Sequence, residues 1–183
     1  MKTAFMLHGA YGTPNENWFP WLKGKLEAES FKVILPQFPT PEGQSLASWM
    51  EVFAPYLPEL DGDSILIGHS LGAAFILRVL EQLESPVRAS LLAAGFTKLL
   101  GIPKFDTINA SFLESPFDWQ KIRANAGACT VFHGENDPYV PLAFGQELAK
   151  NLGADLVVIP GGGHLNAGAG YEEFPALLSA IEG

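Results

Sequence analysis

The chain has one cysteine, three methionines and few charges, with charged residues at only 17 % of its 183 positions. A lone Cys129 cannot close an internal disulfide, so the chain is not a disulfide-stapled scaffold. Its place in an apolar run reads as a small buried hydrophobe. Basic residues are scarce too: 11 Lys and Arg stand against 20 Asp and Glu, a net charge of −9. That balance repels phosphate backbones, and no Lys/Arg cluster offsets it, so neither nucleic acid nor an anionic membrane is an expected partner. No uninterrupted apolar run approaches the ~18 residues of a membrane span. The N-terminal apolar stretch reaches His8-Gly9 too soon for a secretion-signal core, so a reducing cytoplasm is the expected location.

What the chain does have is apolar content, 48 % of residues, which suits a folded domain rather than a disordered one. At this length roughly 70 % of the extended chain's surface can be buried, enough for one hydrophobic core, and residues 1–183 read as a single domain. Short apolar runs predict strands at Thr3–Leu7, Lys32–Leu35, Ser64–Gly68, Arg88–Ala93, Cys129–His133 and Leu156–Ile159. Several are unbroken rather than alternating, as expected of strands buried on both faces. Helical spacing follows Ser45 (Leu46, Met50, Phe53, Leu57) and ends at Pro55 and Pro58. It recurs over Leu142–Leu152 after Pro141 and over Tyr171–Ile181. The segment Leu71–Leu83 is apolar nearly all round and is therefore a central, buried helix. Strands alternating with helices predict an α/β fold: a three-layer α/β/α sandwich around a mostly parallel six-stranded sheet. Residues 95–127 interrupt the rhythm and read as a cap-like helical insertion.

One pentapeptide carries chemistry. Gly68-His69-Ser70-Leu71-Gly72 is a G-x-S-x-G sequence between a predicted buried strand and a predicted buried helix, the strand–turn–helix setting of a nucleophile elbow. Small residues are needed at both flanks, because a Cβ there collides across the turn. The turn lifts the Ser70 hydroxyl to the sheet edge and leaves the Leu71 N–H at a helix N-terminus, aimed at a developing oxyanion. A serine needs a base. Of His8, His69, His133 and His164, only His164 follows an acid that itself follows Ser70, the order this elbow uses. It sits in a glycine run, Gly161-Gly162-Gly163, after the last predicted strand. The other three histidines read as structural or supporting. The orienting acid is Asp137, in the turn-rich loop after Cys129–His133, with Glu135 its nearest competitor and Asp155 placed at the wrong edge. The loop His8-Gly9-Ala10-Tyr11-Gly12 supplies a second oxyanion donor, the N–H of Ala10 or alternatively of Tyr11. It contains neither G-x-G-x-x-G nor a Walker sequence, so it is no phosphate cradle. If the strand order reverses after the second strand, the crevice lies between strands one and three, with Ala10 on one wall and Ser70 on the other.

These features resemble the α/β-hydrolase superfamily. More narrowly, the chain is similar to the small serine hydrolases that include retinoblastoma-binding protein nine. The narrower likeness is carried by His8-Gly9, Asn17-Trp18-Phe19-Pro20-Trp21, Gly68-His69-Ser70, Ser115-Pro116-Phe117-Asp118-Trp119-Gln120-Lys121-Ile122, Asp137-Pro138 and Gly163-His164. These segments lie in family order across nearly the whole chain. The resemblance implies a reduced hydrolase sheet lacking the superfamily's first two strands, a short cap, and a triad on Ser70, Asp137 and His164. It implies no retinoblastoma partner. Two positions depart from the family pattern: Leu165 replaces an aromatic after the histidine, and Asn136 replaces the first of two aspartates.

The expected activity is hydrolysis of a small ester, thioester or amide through an acyl-enzyme, with carboxylic esters ahead of peptides and no metal or organic cofactor. Tyr11, Trp18, Phe19, His69 and Trp119 are the candidate substrate contacts, with Trp21, Phe112 and Phe117 as further aromatic candidates. The alternative is a hydrolase-fold binding protein that turns over slowly or not at all. A metal site on His8 and His133 lacks the usual ligand spacing, and a dehalogenase requires aspartate at the elbow.

Overall fold

The structure, a computed structural model, describes residues 2–182. Six strands form one sheet: β1 (Thr3–Leu7), β2 (Lys32–Ile34), β3 (Ser64–His69), β4 (Ala89–Ala93), β5 (Ala128–Gly134) and β6 (Asp155–Ile159). Their order is β2-β1-β3-β4-β5-β6, and all five neighbouring pairs are parallel. The chain runs outward from β1 to β2 and then crosses back to β3, so the reversal lies between β1 and β3, where the sequence placed it.

Every residue of β1, β3 and β4 is buried, which explains their unbroken apolar character: both faces of the sheet are covered. Alternate side chains serve the two faces. Ala4, Met6, Ile65, Ile67, Leu91 and Ala93 pack into one cluster with helices α1 (Phe19–Ala28) and α7 (Pro175–Glu182). Phe5, Leu7, Leu66, Leu92 and Val131 join the other, beneath α2 (Leu46–Phe53), α3 (Leu71–Leu80), α4 (Pro103–Leu113), α5 (Trp119–Asn125) and α6 (Leu142–Leu152). The result is the expected three-layer sandwich. α3 is buried at every position, as its all-round apolar sequence requires. Ser45 caps α2 by accepting from the Ser48 N–H, and Pro55 and Pro58 convert the helix end into a 3-10 turn.

The 95–127 segment divides in two. α5 packs against α3 and α6 as an ordinary layer helix. α4 lies toward the carboxyl ends of the strands, with its C-terminal end held by Arg78 of α3. That side chain is 5 % exposed, donates from Nε to Phe112 O at 2.9 Å and from Nη1 to Pro116 O at 3.2 Å, and stacks 3.8 Å from the Phe117 ring centre. A buried guanidinium on terminal carbonyls neutralises the negative end of the helix and satisfies acceptors that the helix leaves open. Among the described residues no helix is long and apolar enough to cross a membrane.

Candidate active site

Ser70 sits between β3 and α3 at φ 55°, ψ −121°, a conformation L-residues rarely adopt. Strain of this kind persists only where its surroundings enforce it. Here the Ser70 N–H donates to Ala93 O at 2.8 Å, and the flanks admit no side chain. A Cβ on Gly68 would lie 2.7 Å from the Ala73 nitrogen, and one on Gly72 only 2.2 Å from Leu7 O. The loop after β1 crosses directly over the serine, since a Cβ on Gly9 would stand 2.9 Å from Ser70 Cβ.

The loops after β5 and β6 bring Asp137 and His164 together. Asp137 Oδ2 accepts from His164 Nδ1 at 2.7 Å, while Oδ1 accepts the N–H groups of Tyr139 and Val140 at 2.9 and 3.0 Å. The carboxylate is fully buried. Burial by itself raises its pKa, but the hydrogen bond and charge of His164 and the two N–H donors outweigh that, so the group stays below the usual aspartate value. Glu135, the rival acid, is exposed and its backbone N–H pairs with Ile159 O. Asp155 opens β6 beside Thr130, away from the carboxyl-end loops that hold His164.

The remaining histidines hold the frame. His69 Nε2 donates to the backbone carbonyl of His164 at 2.8 Å, tying the elbow to the base's own loop. Burial, and then the neighbouring His164 charge, push its pKa down to about 3, so it stays neutral. His8 Nε2 accepts the Phe38 N–H at 3.0 Å and Nδ1 donates to Gly9 O at 2.9 Å, with burial lowering its pKa against the opposing effect of Gly9. His133 Nε2 donates to Val140 O at 2.9 Å and so braces the acid's loop. β3 and β4 separate His8 from His133 in the sheet, and among the described residues no three His, Cys, Asp or Glu side chains converge on a metal position. Burial raises the thiol pKa of Cys129 to about 12.

Ser70 and His164 border one cleft of about 280 Å³ with Ala10 and Tyr11, just below the roughly 300–1,000 Å³ of ordinary small-molecule sites. Among the described residues no hydrogen bond joins Ser70 Oγ to His164, which bonds instead to Asp137 through its ring and to His69 through its carbonyl. The Tyr11 N–H is committed to Thr40 Oγ1 at 2.6 Å, which favours Ala10 over Tyr11 as the free backbone donor in that loop.

Several aromatic expectations are corrected. Trp18 and Phe19 are wholly buried, Trp18 between Phe19, Phe174 and His69, and neither lines the cleft. The Trp18 indole donates to Leu165 O at 3.0 Å and steadies the loop of His164. His69, bonded to the His164 carbonyl, does not line the cleft either. Trp119 packs on Phe117 beside α5, and Phe112 lies in the core against Trp49. Leu165 is buried in the α1/α7 cluster rather than walling the base. Asn136 has a role the sequence did not suggest: its Oδ1 accepts the Gly163 N–H at 2.8 Å, linking the acid and base loops. The cleft is instead rimmed by Tyr11, Phe105 and Tyr139, whose rings meet edge to face, with Tyr139 also against His164. The sequence reading missed Tyr139, which its place two residues beyond the turn aspartate Asp137 could have flagged. Phe105, Lys104 and Asn109 of α4 carried no local signal.

Residues 4–182 match a family model described as Serine hydrolase. The chain is 31 % identical over 182 residues to YdeN of Bacillus subtilis strain 168, covering 98 % of this chain and 94 % of that one. The crystal structure of the ydeN gene product superposes over the full length of both chains with a TM-score of 0.91. Serine hydrolase RBBP9 of Rattus norvegicus is 28 % identical over 176 residues, 96 % of this chain and 90 % of its own. A Xanthomonas campestris pv. campestris protein assigned to the alpha/beta superfamily, at 20 % identity, shares the fold with a TM-score of 0.70 over 99 % of this chain and 96 % of that one.

Proposed function

Since the chain belongs to the serine hydrolase family, we propose that it cleaves a small ester, thioester or amide, with esters preferred, through an acyl-enzyme on Ser70. The observation that carries this reading is the buried Asp137–His164 pair facing the same cleft as a serine held at positive φ. With Nδ1–H fixed on Asp137, the lone pair of His164 Nε2 is left for the serine proton. Ser70 Oγ attacks the acyl carbon as that proton moves to Nε2, and the carbonyl electrons move onto oxygen. Collapse of this intermediate breaks the bond to the leaving group, which takes the proton from Nε2. Water, deprotonated by His164, then attacks the acyl-enzyme ester, and as the acid leaves, the proton passes from Nε2 back to Ser70 Oγ.

The transient oxyanion falls to the N–H of Leu71, at the first turn of α3, and to that of Ala10. One such donor is typically worth ~3 kcal/mol. The bond between Ser70 and His164 forms as the cleft fills, since such contacts commonly tighten only in the substrate complex. The −9 charge and the single thiol support action in the cytoplasm on a small molecule, with neither nucleic acid nor membrane as partner. One domain, with α4 as its cap, carries the activity.

Labelling with a fluorophosphonate probe tests the proposal. Wild type is expected to label, Ser70→Ala not at all, and His164→Ala at a sharply reduced rate. A folded wild type that stays unlabelled overturns the reading and leaves a binding protein.

A further inference from the structure

The floor of the cleft contains a hydrogen-bond donor that the protein itself leaves open. Asn109 of α4 is 2 % exposed and lines the cleft with Ser70 and His164. Its amide orientation is dictated by a chain of bonds that begins at backbone. The Tyr11 N–H donates to Thr40 Oγ1, so the Thr40 hydroxyl donates onward to Gln44 Oε1 at 2.6 Å. Gln44 Nε2 then faces Ile108 O at 2.9 Å, and a carbonyl oxygen only accepts. The same Nε2 donates to Asn109 Oδ1 at 2.9 Å. Reversing the Gln44 amide would set its oxygen against Ile108 O, and reversing the Asn109 amide would set two NH2 groups against each other, so Asn109 must present its Nδ2 away from Gln44. Among the described residues that NH2 group has no partner.

Above it stands the cleft's basic residue. Lys104, one and a half turns earlier on α4, also lines the cleft, with Nζ 4.7 Å from the Tyr11 ring centre and 5.7 Å from that of Phe105. Among the described residues it takes part in no ion pair. An unpartnered donor in a ligand cleft, on a side chain otherwise buried, selects for an acceptor on the ligand, because a purely apolar occupant would strip its water and return nothing. A free ammonium at the mouth of the same cleft, on a chain of net charge −9, adds a preference for negative charge.

We propose that the substrate carries a carboxylate remote from the scissile bond, which accepts a hydrogen bond from Asn109 Nδ2 and is attracted by Lys104. This rests on the serine-hydrolase reading of the same cleft and names its substrate class. Placed on the acyl side, that carboxylate makes the substrate a half-ester or half-amide of a small diacid, and hydrolysis releases the dianionic diacid.

The test compares monomethyl glutarate with methyl 5-methylhexanoate, in which an isopropyl group replaces the carboxylate at equal shape. Dissociation constants are measured by NMR titration on Ser70→Ala, which cannot turn over. The carboxylate ester is expected to bind about tenfold more tightly. Asn109→Asp keeps the acceptor for Gln44 but replaces the donor with a second carboxylate, and should reverse the preference. Lys104→Met, at an exposed position, should narrow it about threefold at low salt and leave no difference at about 0.5 M salt. Equal binding of the two esters, no detectable binding of either, or a preference untouched by Asn109→Asp overturns the proposal. Fluorophosphonate labelling of wild type reports separately on Ser70, so a labelled protein without the preference refutes only the substrate class. An unlabelled one with the preference refutes only the chemistry.

Discussion

The wall of the cleft built by the loops after β5 and β6 is closed on itself, whereas the wall built by α4 is not. On the first, Asp137 accepts three hydrogen bonds, Asn136 bridges to Gly163, and the carbonyls of His164 and Leu165 are taken by His69 and Trp18. On the second, Arg78 and Gln44 hold the helix by its carbonyls, but of its cleft-lining groups Asn109 Nδ2 has no protein partner among the described residues and Lys104 Nζ meets only the Tyr11 and Phe105 rings, with no ion pair. Groups that must stay in register through a reaction are over-determined, while groups that recognise a ligand are left for the ligand to complete.

The largest effect should come from breaking the closed wall at its centre. Asp137→Asn preserves shape but offers an amide to the His164 ring, and is expected to lower kcat by about 10⁴-fold. A fall below tenfold would mean the pair is structural. Releasing the open wall is next. Arg78→Ala leaves buried carbonyls and Glu81 uncompensated and should cost about 3 kcal/mol of unfolding free energy by urea titration. A loss under ~1 kcal/mol would show that α4 is held elsewhere.

The closed wall should also fail first in acid. His69 has a folded pKa near 3 against 6.5 unperturbed, so its neutral form contributes stability that is complete above pH 6.5. That contribution is lost as pH falls from there toward 3. Asp137, also depressed, adds its own loss only below the ordinary aspartate range. His69→Gln, which keeps a donor for His164 O, should flatten the pH 4–6 stability slope by about 1 kcal/mol per pH unit. An unchanged slope would place the acid sensitivity elsewhere. Smallest is Trp18→Phe, which strands Leu165 O at a cost of about 1 kcal/mol and leaves the selectivity between esters as it was. A changed selectivity would return Trp18 to the substrate pocket.

Much of this was legible before any coordinates. Thr3–Leu7 and Leu142–Leu152 match their predicted spans, Cys129–His133 extends by one residue at each end, and the other strands differ by one residue at one end, because unbroken apolar runs between turn residues have few alternative placements in a parallel sheet. Ser70, Asp137 and His164 were named from local turn chemistry and chain order, which the sequence carries directly. The aromatic residues were not readable in the same way. A tryptophan reports its burial in a sequence but not the face it packs on, so Trp18 and Phe19 looked like pocket and proved to be core. Tyr171–Ile181 shortens to α7 because Pro175 sets the first turn, with a 3-10 turn at Ala167–Ala169 before it. Asn109 was hidden for a different reason. Its significance depends on Thr40 and Gln44, far away in sequence, fixing which end of its amide faces the cleft.

The central claim, that Ser70 is the nucleophile of this cleft, is tested most directly by trapping its acyl-enzyme. Wild type mixed with p-nitrophenyl acetate, quenched in acid within one turnover and digested, should carry an acetyl group on the peptide containing Ser70. That group should be absent from Ser70→Ala treated identically. Turnover with no acetyl on Ser70, or with the acetyl on Lys104 instead, would contradict the account.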